Sequence, residues 1–240
     1  MRNPKQTTWA SALVLVAAAV TPADAGPDLD EGGVDAGSTP GTATIAMGMG
    51  ALNSISGNLA GLGPGMEDFE DMYLINITDA VQFFATSDDA GTTFDTQMWL
   101  FRFDDLDPLM NGLGLLGNDD TSAANDASML GPMSTDGTIV ITEGLYYLAI
   151  SGGAGLGVPD PGRFPVDGGL VPIFDLVDLI QLPTDILSPN TAAGVVDDWR
   201  GEGAVGSYVI HLEGVSFVPA PGAAGALALG LLAMRRRRRH

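Results

Sequence analysis

The 240-residue chain contains no cysteine, so it holds no disulfide and no thiolate metal site, and its stability must come from core packing or bound metal. Histidine is almost as scarce: His211 lies in a strand-like segment and His240 is the last residue. A histidine-based zinc site is therefore excluded, and a Ser-His-Asp triad would have to use His211, with no Gly-x-Ser-x-Gly turn to supply a nucleophile. Between residues 26 and 218 there is no lysine, and the only cations are Arg102, Arg163 and Arg200, so no Gly-x4-Gly-Lys-Ser/Thr phosphate loop exists. Those three arginines face 29 acids, a net charge of about −26 for the segment. Such a body repels nucleic acid and anionic lipid, and divalent cations are its natural counter-ions. Aromatics make up 7% of the chain while glycine occurs 33 times, which favours tight turns over helices.

Long apolar runs are confined to the two ends. Residues 1–25 combine a basic start (Arg2, Lys5), an apolar stretch over 10–20 and the small-x-small triplet Ala23-Asp24-Ala25. This is the pattern of a signal helix handed to the Sec machinery and cut by signal peptidase at the site that Ala23 and Ala25 form, after residue 25. At the other end Val218-Pro-Ala-Pro-Gly222 leads into twelve apolar residues, 223–234, and then Arg235, Arg236, Arg237, Arg238 and Arg239. Five consecutive cations stop at a bilayer rather than cross it. As a helix the twelve residues span about 18 Å against a hydrocarbon core of about 30 Å, which suits a transient hold before processing. Membrane contact is expected only through this tail.

Three ordered elements, Pro219 with Pro221, the apolar span and the arginine cluster, make the tail similar to the PEP-CTERM sorting signals read by exosortases. Ala220 stands where the commonest form has glutamate, so the match is to a Val-Pro-Ala-Pro-Gly variant. The resemblance implies an exosortase-type partner and delivery to the bacterial cell surface or extracellular matrix.

Between the signals, residues 26–52 read as a flexible Gly/Asp/Thr-rich leader and 53–217 as one domain. Segments 54–59, 69–77, 80–86 and 97–103 carry strand spacing, with Trp99, Phe101 and Phe103 on the expected core side of the last. Segments 138–142 and 145–150 flank Glu143-Gly144 as a hairpin, and 206–214 forms a closing strand. Residues 152–205 read as a long insertion, either a lid or a flexible excursion, whose apolar piece 173–180 fits a short helix or a strand. The expected class is all-β, an antiparallel β-sandwich with jelly-roll-like connections. The order Ile55-Ser-Gly-Asn-Leu59, Asp71-Met-Tyr-Leu-Ile75, Phe94-Asp-Thr-Gln-Met-Trp-Leu-Phe101, Gly117-Asn-Asp-Asp120 and Gly144-Leu-Tyr-Tyr-Leu-Ala-Ile-Ser-Gly152 resembles the bacterial pre-peptidase C-terminal domains. That resemblance implies a small secreted β-sandwich, binding surfaces or polysaccharide in some members. The insertion after Gly152 and the absence of an attached catalytic domain depart from it.

Calcium is the candidate cofactor. Asp104, Asp105 and Asp107, followed by Asn118, Asp119, Asp120, Asn125 and Asp126, offer the oxygen ligands a hard cation needs within one expected loop, although no EF-hand spacing is present. A second acidic group, Glu67-Asp68 with Glu70-Asp71, precedes a strand and reads as solvated, with a contribution of ligands to the cation as the alternative. Trp199, on the insertion, and the pair Tyr146 and Tyr147 are candidates for stacking on extracellular polysaccharide. The expected function is thus an exported, non-catalytic surface domain. The alternatives are a carbohydrate-binding module and a glycan-active enzyme using two carboxylates across a cleft.

Overall fold

The computed structural model describes residues 28–63, 66–107, 109–122, 124–154 and 160–220. The cleavage residues Ala23 and Ala25, Pro221 and the five terminal arginines lie outside the described residues. The chain is all-β, with most strands paired antiparallel. One sheet runs in the order Leu29–Asp30, Ser54–Leu59, Gly206–Glu213, Phe84–Thr86, Met129–Leu130. The other runs Gly114–Asn118, Thr96–Arg102, Gly144–Gly152, Glu70–Ile77, Val215–Ser216.

Alternation along the strands builds the core between these sheets. Ile55, Leu59, Tyr208, Ile210 and Leu212 of the first sheet meet Tyr73, Ile75, Met98, Leu100, Leu148 and Ile150 of the second, all nearly or wholly buried. The central strands of the second sheet are buried on both faces, Thr96–Arg102 at every position but the last. Their outer face carries Met72, Leu74, Trp99, Phe101, Tyr147 and Ala149, and residues from the 152–205 segment cover it.

That segment is a third layer rather than a loop. Phe164–Asp167 and Val196–Arg200 pair as an antiparallel ribbon. Between them lies a short helix, Leu176–Gln181, capped by Asp175, whose side chain accepts from the backbone N–H of Val177 at 2.8 Å. Ile173, Phe174, Leu179, Leu187, Val196 and Trp199 pack from this layer onto the sheet. Trp99 sits at the junction, with ring centroids 5.1 Å from Phe174 and 6.3 Å, edge-on, from Trp199. Gly117 makes room for it, because a Cβ there would stand 2.8 Å from the Trp99 ring. The Arg163 guanidinium fastens the start of the layer, donating from Nε to Glu70 Oε2 at 2.8 Å and from Nη1 to the Gly201 carbonyl at 3.0 Å.

Three expectations are corrected by this arrangement. The leader is paired, not flexible: Leu29–Asp30 runs parallel to Ser54–Leu59, and Thr44–Ile45 parallel to Glu70–Ile77. Residues 138–142 form no strand beyond a single bridge of Val140 to Met133, because Gly144–Gly152 finds both its neighbours in Glu70–Ile77 and Thr96–Arg102. Of 80–86 only Phe84–Thr86 is extended. Trp99 and Phe101 are core residues as expected, buried against the third layer, and Met98 and Leu100 on the other side of the strand are buried as well, between the two sheets.

Candidate functional site

Register decides which acids meet. Gly114–Asn118 lies antiparallel to Thr96–Arg102 with Gly117 opposite Trp99 and Asn118 opposite Met98. On the other side Gly144–Gly152 sets Ser151 opposite Gln97 and Gly152 opposite Thr96. The three strands end together, so Asp95, just before the middle strand, arrives beside Asp119 and Asp120, just after the edge strand. One carboxylate oxygen from each of the three lies within 4.8 Å of the others. Gln97 lies against them and is 1% exposed. Its Nε2 donates to Asp119 Oδ1 at 3.0 Å and to the Pro161 carbonyl at 2.8 Å, whereas its Oε1 is buried with no hydrogen-bond partner. Gly153 backs the group, and a Cβ at that position would collide with the Asp95 carboxylate.

Gathering like charges in a partly dry corner shifts their titration. Asp119 is pushed up to about 7, chiefly by burial, against the lowering effect of the Gln97 hydrogen bond and with Asp120 and Asp126 adding repulsion. Asp120 is pushed up to about 6, again by burial first and then by Asp126. An all-oxygen set of carboxylates and amide carbonyls is the donor chemistry of a hard divalent cation.

A second acidic cluster, Asp35, Asp68 and Asp71, sits at the same end of the sheet. Asp71 is fully buried, contrary to the expectation that 67–71 is solvated, because phenols from both sheets reach it. Tyr208 donates to Asp71 Oδ2 at 2.6 Å, the Tyr73 and Tyr208 hydroxyls are 2.6 Å apart, and the Ala36 backbone N–H donates to Asp71 Oδ1 at 3.3 Å. Burial drives Asp71 up to about 8, with the Tyr208 bond opposing and Glu31, Asp68 and Asp35 reinforcing the rise. Glu70 is buried likewise, and Arg163 compensates it.

The residues singled out in the sequence separate into three groups. Asp119, Asp120 and Asp126 come together, and Asn125 lies in the same turn with its Oδ1 accepting from the Ala127 N–H. Asn118 is fully buried and committed to structure: its Nδ2 donates to the carbonyls of Asp120, Pro183 and Asp185, and its Oδ1 accepts from the Met129 N–H. Asp104, Asp105 and Asp107 fall at the opposite end of Thr96–Arg102. Asp104 Oδ1 there accepts from the N–H groups of Leu106 and Asp107, and Oδ2 pairs with Arg102 at 3.0 Å. The single ligand loop is therefore split, since a strand of seven residues, about 23 Å long, separates its halves. Asp95 and Gln97 were missed because they precede the acid-rich stretch. The overlooked signal was Asp95-Thr-Gln97 at the start of a strand paired to the one that ends at Asp119.

The aromatic candidates are corrected as well. Trp199 is 2% exposed, packs edge-on to Trp99 and Phe101, and donates from Nε1 to the Ser38 carbonyl at 2.6 Å. Tyr146 belongs to the core between the sheets, with its hydroxyl donating to the Thr142 carbonyl at 2.8 Å, and Tyr147 is buried beside Phe103. All three rings are spent on packing. His211, on Gly206–Glu213, has its Nε2 2.6 Å from Asp89 Oδ2. Pro219 lies in a two-residue strand, Val218–Pro219, parallel to Met47–Gly48, so the start of the tail motif abuts the folded domain. No protein-family model, no curated protein and no solved structure matches this chain.

Proposed function

We propose that this chain is an exported, non-catalytic β-sandwich protein of the bacterial surface or extracellular matrix, delivered by an exosortase-type system and serving a structural or adhesive role. In this reading the body is a pre-peptidase C-terminal-like sandwich, with jelly-roll-like connections, widened by a third layer. What supports it is one strongly acidic layered domain between two terminal segments whose sequences read as processing signals, the second of them beginning where Val218–Pro219 pairs with Met47–Gly48. Burial of Trp199, Tyr146 and Tyr147 favours this role over sugar stacking.

Expression of the full chain in a Gram-negative bacterium carrying an exosortase tests it, by fractionation and intact mass. The expected product lacks residues 1–25 and the arginine tail and appears at the surface or in the medium, and deletion of 221–240 changes its destination. Full-length protein held in the cytoplasm would contradict the proposal, as would turnover of a polysaccharide by the purified product.

A further inference from the structure

We propose that the exposed row Ile45, Met47 and Met49, beside the point where the tail leaves the fold, is a second membrane contact that seats the folded body on the bilayer while the tail is held there. This rests on the reading of the tail as a membrane hold and extends the contact from the tail to the domain.

The distribution of charge is the first observation. Between Asp35 and Glu67 the chain has 31 residues without an ionisable side chain, and between Glu213 and Arg235 it has 21, the two longest such runs in the sequence. The fold joins them. Thr44–Ile45 runs parallel to Glu70–Ile77 and Val215–Ser216 antiparallel to the same strand, so both runs close the outer edge of the second sheet. Beyond it Met47–Gly48 pairs with Val218–Pro219. The Val218 N–H donates to the Ala46 carbonyl at 2.7 Å and the Phe217 N–H to the Gly50 carbonyl at 3.1 Å. The Phe217 ring takes the place of a side chain at Gly48, where a Cβ would stand 2.6 Å from it. Backbone hydrogen bonds thus fix the exit of the tail to this edge.

Burial alternates along the first run. Ala46 is wholly buried, whereas Ile45, Met47 and Met49 are 42%, 53% and 85% exposed. Pro219 and Ala220 on the neighbouring strand are exposed too. A row of exposed apolar side chains marks a contact surface, and unbranched methionines adapt to an irregular apolar partner. Two facts select the bilayer as that partner. From Ala220 only Pro221 and Gly222 precede the apolar run 223–234, so at no more than about 3.6 Å per residue the run begins within about 11 Å of this edge. A body with a net charge of about −26 held so close is repelled by anionic headgroups through its acids, and the uncharged strands are the part that approaches lipid without that cost.

Because the chain has no cysteine, one introduced thiol carries one label. The full chain with Met49→Cys, or with Val177→Cys for comparison, is expressed in a Gram-negative host without an exosortase, labelled with a polarity-sensitive fluorophore and reconstituted into phosphatidylcholine vesicles. Val177 is apolar and 57% exposed, but its helix Leu176–Gln181 adjoins the opposite edge of the sheet, where the Pro183 carbonyl accepts from the Asp120 N–H and Leu187 bridges to Gly117. The expected Met49 label emits to the blue of the Val177 label, is quenched by spin-labelled lipid and resists iodide, while the Val177 label does the reverse. Adding Met47→Asp to Met49→Cys reduces the contrast. Equal iodide quenching at the two positions on vesicle-bound chain would overturn the docking and leave the reading of the tail intact. A Met49 label shielded from iodide yet untouched by spin-labelled lipid would overturn it as well, marking a second copy of the chain as the occupant. A chain that does not float with the vesicles contradicts the reading of the tail itself, and the docking with it.

Discussion

Asp71 shows how an acid can be structural without a cation beside it. It joins the two sheets through Tyr208 and Tyr73, and Glu31, Asp35, Asp68 and these two phenols are the ionisable groups that act on it. In the folded chain it keeps its proton up to about pH 8, against 3.8 when unfolded. Between those values the folded state binds more protons, so the stability contributed by this group is fully present below about pH 4, falls as pH rises, and is lost above about 8. Urea unfolding of the calcium-free protein is expected to show that decline, and Asp71→Asn is expected to flatten it and to stabilise the protein at pH 8. A variant slope equal to the wild type would mean that Asp71 is ionised in the fold. The burial of this residue was not legible in the sequence, because an Asp in a run of acids looks solvated until Tyr208, 137 residues away, is brought against it. Asp119, Asp120 and Asp126 were legible as a group from their proximity along the chain. Asp95 was not, since only strand register unites it with them.

At the scale of elements, alternation identified the strands that form the two-sheet core, and Ser54–Leu59 begins and ends where the pattern places it. The pattern fails where a strand is buried on both faces, since Thr96–Arg102 is apolar on each side and alternation cannot tell which side meets which layer. The third layer was illegible for a related reason. Its two ribbon strands lie far apart in the chain, with Pro and Gly clusters between them, and read as loop until Trp99 and Phe101 supply a surface to cover. Trp199→Ala should therefore act as a core truncation, lowering unfolding free energy by about 3–5 kcal/mol in urea. A loss below about 1 kcal/mol would show that the layer contributes little to the cooperative fold. The Arg163 guanidinium, held between Glu70 and the Gly201 carbonyl, ties the same layer to the sheet, and Glu70, expected to be solvated, is buried against this partner.

For the whole molecule the decisive quantities are an absence and an excess: no cysteine to brace the domain, and some 29 acids against three arginines in residues 26–218. Self-repulsion on that scale opposes compaction, and the acids gathered at the end of the second sheet concentrate it.

The most direct measurement is the intact mass and location of the full chain expressed in a Gram-negative bacterium that carries an exosortase. The account predicts a product without residues 1–25 and without the arginine tail, at the cell surface or in the medium. Full-length protein held in the cytoplasm would contradict it.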